Sequence, residues 1–296
     1  MDFKTELLKY QKKVNNELEK YLRKQDCPER ILNESMEYSL IAGGKRLRPI
    51  LVFEAYKLFK DDIEKVSAYA ISIEMVHNAS LIHDDLPGID NDDLRHGKLT
   101  NHKKFNEATA ILAGDGLFNN AYIIISNDLL NTKNEQELQR KLKIFNEFSL
   151  ATDRMLAGEY LDTECEGKNI SRDELEYIHQ NKTGAYLKLC ARMGAILGGA
   201  TEYQLEKITK YAEKIGLAFQ IKDDILSEIG DEKITGKPVG NDKEKEKCTY
   251  VSEYGLEKAK EILHKITNEA ISELSEFGKK AEFLQELARY IETRNK

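Results

Sequence analysis

Eight aspartates in two distant stretches are the residues whose type and spacing could do chemistry. Asp84, Asp85, Asp90, Asp92 and Asp93 fall in HDDLPGIDNDDLRHG, and Asp223, Asp224 and Asp231 in FQIKDDILSEIGD. Leu, Ile and Pro are interleaved, unlike a solvated charge run. Carboxylates this close repel one another unless a cation neutralises them. Clusters of oxygen donors alone suit Mg²⁺, which takes one or two carboxylates and fills its shell with water and substrate phosphates. Each stretch follows an apolar, helix-forming segment, so both clusters can sit at helix ends that open on a common mouth. The expectation is a metal-bridged phosphate site between two halves of a helical protein.

A phosphate site also needs donors. GGKRLRP at 43–49 sets two glycines and Lys45, Arg46 and Arg48 at a helix start, a favourable place for an anion. Arg95 follows the first cluster, and Lys182-Thr183-Gly184 interrupts a helix. His77 lies seven residues before Asp84, so the two share a helix face. Asp84 and Asp90 bracket a turn containing Pro87 and Gly88, which can bring both carboxylates to one metal pair. One turn beyond Asp223 stands Ser227, a weak neutral ligand. Taken singly, each cation reads as a surface charge and each acid as a cap. Their joint occurrence favours the site.

The elements that must position these groups read with a 3.6-residue period, and no segment reads as a convincing strand. Helices are expected over 3–23, 28–41 with Pro28 in the first turn, 49–59, 66–83, 106–129, 135–159, 171–197 and 202–229, then two shorter ones broken near Phe277-Gly278. Ser171 and Glu174 form a capping-box pattern. The stretch 230–247, with Gly230, Gly236, Pro238, Gly240 and DKEKEK, reads as a loop, either a solvated linker or a mobile lid that closes over a charged substrate with Lys237 reaching in. No repeat or composition shift divides the chain, so one all-α domain over 1–296 is expected.

The bulk properties agree. The chain has 296 residues, 41% hydrophobic, enough for a sizeable core. A net charge of -7 argues against non-specific nucleic-acid binding. Cys27, Cys165, Cys190 and Cys248 show no CxxC spacing and read as ordinary reduced thiols. No signal peptide and no run of roughly 18 apolar residues is evident. A soluble, cytoplasmic protein is expected.

GGKRLRP, SLIHDDLPGIDNDDLRHGK, AILAGDG, KTG, FQIKDDIL and GKPVGND occur in one order along nearly the whole chain. In this ordered set the chain resembles the trans-isoprenyl diphosphate synthases, in particular bacterial farnesyl and geranylgeranyl diphosphate synthases. The resemblance implies an all-helical isoprenoid-synthase fold around a central cavity, usually homodimeric. It also implies Mg²⁺-dependent head-to-tail condensation of isopentenyl diphosphate with an allylic diphosphate, giving an all-trans C15 or C20 product. By that resemblance Asp84, Asp85, Asp90, Asp223 and Asp224 hold two or three Mg²⁺ ions. Arg95, Lys182 and Lys237 hold the allylic diphosphate, while Lys45, Arg48, His77 and His96 serve isopentenyl diphosphate. Thr183 and Gln220 line the developing cation. Ala79 and Ser80, about one turn before Asp84, bear on product length, and small Ala79 leans towards C20, with Phe118 or Tyr122 as alternative floors. His96 stands where the family usually has a second Arg, and Ser227 where the second motif usually has Asp. These departures leave a weakened or regulatory paralogue as an alternative. A remoter one is an HD-type metal phosphohydrolase built on His83-Asp84. A P-loop is excluded, because Pro follows Lys in GDEKITGKP.

Overall fold

The structure, a computed structural model, describes residues 2–21, 26–165, 167–168, 170–229 and 249–295. The expected lid at 230–247, with Lys237, and the acid Asp231 lie outside the described residues. Among the described residues the fold is all-α apart from one hairpin of two two-residue strands. The chain divides into two compact units, Asp2–Phe53 with Asp62–Leu142, and Glu54–Asp61 with Lys143–Lys296. They are called the N-terminal and C-terminal units below.

In the N-terminal unit, α1 (Phe3–Glu19) buries Leu7, Tyr10, Val14 and Leu18, an apolar stripe at three- and four-residue spacing. Helix α2 spans Arg30–Leu40, so Pro28 stands in the turn before it rather than in its first turn. Helix α3 (Leu47–Lys57) begins earlier than expected, with Pro49 inside its first turn, where a missing N–H is harmless. Helix α4 (Ser67–Asp84) is buried on most of its surface, from Ser67 to Ile82. A helix without a polar face is a core helix, and the other elements of the unit pack around it. A short hairpin, β1 (Leu94–Arg95) with β2 (Lys98–Leu99), departs from the expectation of no strand. Helix α5 (Asn101–Lys104) leads to α6 (Glu107–Asn131), which runs along α4 and is capped by Asn106, whose side chain accepts from the Thr109 N–H at 2.8 Å.

Helix α6 is, by length and composition, apolar enough to cross a membrane. The sequence reading missed this because Asp115, Asn119, Asn120 and Asn127 interrupt every apolar run. A single such helix is weak grounds for a membrane segment, since a core helix of a soluble protein passes the same test.

The C-terminal unit holds most of α7 (Glu135–Glu164), then α8 (Arg172–His179), a π-helical segment Gln180–Gly184, and α9 (Ala185–Gly198). The capping box of Ser171 and Glu174 is present as expected. Helix α10 (Glu202–Ile229) packs on α9 and on α11 (Tyr250–Tyr254), α12 (Leu256–Glu273) and α13 (Glu282–Thr293). The expected C-terminal break is real. A 3₁₀ segment, Ser275–Ala281, kinks at Gly278, whose φ of 55° suits glycine. Tyr211 on α10 donates to the Leu284 carbonyl at 2.6 Å and ties α13 down.

Candidate active site

The first aspartate cluster forms a closed turn. Helix α4 ends at Asp84, and the Asp90 N–H donates to the Asp84 carbonyl at 2.8 Å. The Ile89 and Asn91 N–H groups both reach the Leu86 carbonyl, at 2.9 and 3.1 Å. Asp84 and Asp90 thus stand at the two ends of one hydrogen-bonded loop, as their spacing around Pro87 and Gly88 suggested. Asp85 is different: it is 3% exposed, and Arg95 clasps it through Nε at 2.8 and 2.9 Å and Nη2 at 2.5 Å. An expected metal ligand and an expected phosphate donor therefore occupy each other. Burial raises the Asp85 carboxyl above its ordinary range, against the pull of Arg95. The hairpin delivers Arg95. Its turn residues His96 and Gly97 have φ of 52° and 76°, the pattern of a tight type I′ turn.

The cationic loop lies in the same unit. Arg48 donates from Nη1 to His77 Nε2 at 3.2 Å. That contact makes Nε2 an acceptor and puts the His77 proton on Nδ1. Burial, then Arg48, Arg95, Arg46 and His96, hold the His77 pKa well below its usual value. Burial also lowers His96, followed by Arg95, Arg46 and Lys45. Both histidines are neutral among cations. The Arg48 Nε–H is buried with no acceptor among the described residues. A group of Lys and Arg with an orphaned donor fits an anion, and guanidinium donors suit phosphate oxygens.

The C-terminal unit carries the other half of the expected residues. Lys182 sits in the π-helical segment, so KTG widens the helix rather than interrupting it; such bulges are frequent at functional sites. Its Nζ lies 2.8 Å from Glu159 and 2.6 Å from Asp162. Burial opposes the charge, but Asp162 and Glu159 prevail and raise the Lys182 pKa. Glycine is needed at 158, because a Cβ there would meet the Lys182 amide nitrogen at 2.4 Å and its Cα at 2.8 Å. Gly158→Ala must displace this backbone, and is expected to cost about 1–3 kcal/mol and to slow turnover by shifting Lys182. Urea denaturation and steady-state rates check it; an unchanged midpoint would show that the segment yields freely. Thr183 is buried and Gln220 half-buried.

On α10, Asp223 is paired with Arg294, which also donates to the Phe219 carbonyl at 3.3 Å and stacks over the Phe219 ring at 4.2 Å. Sequence reasoning missed Arg294; its place after the last helix carries no motif. Asp224 is buried and accepts from the Tyr250 N–H at 2.7 Å.

His179 stacks on Tyr250 at 5.9 Å between ring centres. Burial, aided by Lys182 and opposed by Asp162, lowers its pKa from 6.5 to about 4. Below pH 6.5 the unfolded chain takes up a proton that the folded chain refuses, so stability falls as pH drops towards 4. At about 1.4 kcal/mol per unit, this residue alone withdraws about 3 kcal/mol. Urea midpoints should fall over that window, and less steeply in His179→Phe. Parallel slopes would count against it.

Ala79 is fully buried and Ser80 half-buried, its hydroxyl donating to the His77 carbonyl at 3.0 Å. Neither lines an open cavity of about 400 Å³ between α4 and α6, at Ala68, Met75, Asn120 and Ile124. Phe118 packs against His83.

Among the described residues no three His, Cys, Asp or Glu side chains converge as an all-protein metal cage. The donors are oxygens offered in ones and twos: Asp84 and Asp90 across a closed turn, and Asp223, with its side chain 46% exposed, on α10. That suits Mg²⁺, which completes its shell from water and phosphate.

The family model described as polyprenyl synthetase matches residues 29–288. The chain is 40% identical over 286 residues to a farnesyl diphosphate synthase of Bacillus subtilis (strain 168), covering 96% of this chain and 95% of that one. It is 42% identical over 267 residues to a chloroplastic geranylgeranyl pyrophosphate synthase of Capsicum annuum, covering 90% and 72%. A solved FPP/GFPP synthase from Zymomonas mobilis, without ligand, superposes with a TM-score of 0.87 at 35% identity over 99% of both chains.

Proposed function

This chain belongs to the polyprenyl synthetase family, and from that premise we propose how its residues divide the reaction. The protein is a prenyltransferase: it condenses isopentenyl diphosphate head to tail with an allylic diphosphate, giving a C15 or C20 prenyl diphosphate. Two diphosphates must be held apart and aimed. The observation that carries the assignment lies on α4. His77, touched by Arg48, and Asp84, at the acid turn, are two helical turns apart, about 10 Å of rise. Lys45, Arg48 and His77 hold the diphosphate of isopentenyl diphosphate, with His96 beside them. Asp84 and Asp90 face the allylic diphosphate, and Arg95 and Lys182 bind its oxygens.

Asp84, Asp85, Asp90, Asp223 and Asp224 would hold two or three Mg²⁺ ions, which would supply positive charge to stabilise a leaving diphosphate. The residues do the rest. Arg95 and Lys182 donate to the oxygens on which charge grows as the allylic C–O bond breaks. Thr183 and Gln220 present oxygens beside the developing carbocation. The alkene of isopentenyl diphosphate attacks it, and a proton leaves to the released diphosphate. Water has to be kept from this centre, since it would quench the cation. The family match, running from 29 to 288, supports one catalytic domain.

We propose a homodimer as well. Ile111, Leu112, Ile123 and Leu130 on α6 are 44, 56, 42 and 84% exposed, a large apolar set for one helix. Light scattering should give twice the 33.9 kDa chain mass, and Leu112→Lys with Ile123→Lys should give one chain mass.

The deciding assay incubates purified protein with isopentenyl diphosphate and dimethylallyl or geranyl diphosphate, with Mg²⁺ or with EDTA, and chromatographs the dephosphorylated products. Mg²⁺-dependent C15 or C20 alcohols support the reading. No elongation under any condition would sink it in favour of a regulatory paralogue.

A further inference from the structure

Arg46 stands between two cations assigned to the isopentenyl diphosphate site, yet it cannot share their role. It is 4% exposed and points into the N-terminal unit. Its guanidinium donates to Glu74 on α4 at 2.6 Å, to the Leu40 carbonyl at the end of α2 at 2.7 Å, and to Asn15 on α1 at 3.0 Å. Gln11, also on α1, donates to the Lys45 carbonyl at 3.1 Å. Three helices thus grip the loop through one side chain.

The loop needs gripping. Gly43 and Gly44 have φ of 114° and 116°, and Arg46, which is not glycine, has φ of 54°. A side-chain-bearing residue in the left-handed region persists only where its surroundings hold it. Its carbonyl accepts from the Ile50 N–H at 3.2 Å, so the strained residue also opens α3, whose first turn bears Arg48.

The acid partner is placed to match. Glu74, His77 and Asn78 follow the three- and four-residue spacing of one α4 face. Asn78 donates to the Glu74 carbonyl at 2.8 Å, and more loosely to the same carboxylate oxygen that Arg46 holds. The other oxygen, Oε2, is buried with no partner among the described residues. As a device for stability this is a poor one, because a buried ion pair seldom outperforms an apolar pair of similar volume. What it supplies is aim.

We propose that Arg46 and Glu74 are the positioning residues of the isopentenyl diphosphate site. They fix the backbone between Lys45 and Arg48, so that both cations, and Arg48 against His77, meet the diphosphate already oriented. The proposal rests on the assignment of Lys45 and Arg48 to that diphosphate.

The test removes the pair without leaving a buried charge. Arg46→Met with Glu74→Leu should fold, with a modestly lower melting temperature because the Leu40 carbonyl and Asn15 lose their donor. Its KM for isopentenyl diphosphate should rise about tenfold or more, the scale of one misplaced charged hydrogen bond. KM for the allylic substrate and kcat should stay within about twofold. Arg46→Lys keeps the charge but loses the three-way fork. It should show an intermediate rise, by kinetics and by calorimetric titration of isopentenyl diphosphate without its co-substrate. If either folded variant binds isopentenyl diphosphate like the parent, the pair is structural only and the proposal is overturned. Lys45→Ala and Arg48→Ala separate the two ideas. Unchanged KM in those variants would refute the site assignment itself.

Discussion

Asp84→Asn with Asp90→Asn should cut turnover by about a hundredfold to a thousandfold for each residue changed, the effect of deleting one preorganised electrostatic group at a reacting centre. The chain should stay folded. Both residues sit on a turn closed by backbone hydrogen bonds, from Asp90 to Asp84 and from Ile89 and Asn91 to Leu86, which asparagine leaves intact. The Mg²⁺ concentration for half-maximal rate should rise alongside. Asp85→Asn makes an instructive contrast. Asp85 is buried against Arg95, and losing its charge strands a guanidinium whose side chain is 21% exposed. About 3 kcal/mol of stability should go, the lower end for a broken buried pair. Circular dichroism melts and initial rates on the three variants separate the roles. Equal loss of rate in all three, with no difference in melting, would mean that Asp85 acts as the other two do.

The second large effect concerns Lys182. Lys182→Met should lower kcat/KM for the allylic substrate by about a hundredfold while kcat/KM for isopentenyl diphosphate at saturating allylic substrate changes far less. The cation is held between Glu159 and Asp162, with side chains 18 and 22% exposed, so its removal also leaves two half-buried carboxylates facing each other. A stability loss of about 1–2 kcal/mol is expected, discounted from the buried-pair figure for that exposure. Glu159→Gln tests the direction of the contact. It loosens the grip on Lys182 without removing it, so allylic binding should hold or tighten. A Glu159→Gln variant as slow as Lys182→Met would show that the carboxylate itself takes part in the reaction.

The parts of this molecule that could be read from sequence are those written locally. The α1 positions Leu7, Val14 and Leu18, the Ser171–Glu174 capping box and the turn between Asp84 and Asp90 are each written locally and each is in place, whereas Leu8 of the same apolar pattern is exposed and Tyr10 is buried instead. What escaped is long-range or very short. Arg294 meets Asp223 from 71 residues away, and Arg46 meets Glu74 from 28. Neither partner could be named without the fold. The hairpin of Leu94–Arg95 with Lys98–Leu99 is too short to show an alternating pattern, although a residue followed by glycine at its tip was a usable signal. At Lys182 the sequence marked a disturbance correctly but not its kind. A π segment keeps the helix running, and only the close approach of Gly158 shows why it must widen there.

Anyone purifying this protein meets the pairing of Arg294 with Asp223 as a practical matter. An affinity tag joined after Lys296 begins three residues beyond a guanidinium that is 5% exposed and seated on the ring of Phe219. Bulk or a string of histidines there would tug on the carboxylate assigned to the metal, and its imidazoles would compete for divalent ions besides. Kinetic constants taken on such material would carry the tag's signature. The same tag ahead of Met1 lies far along the chain from either acid cluster.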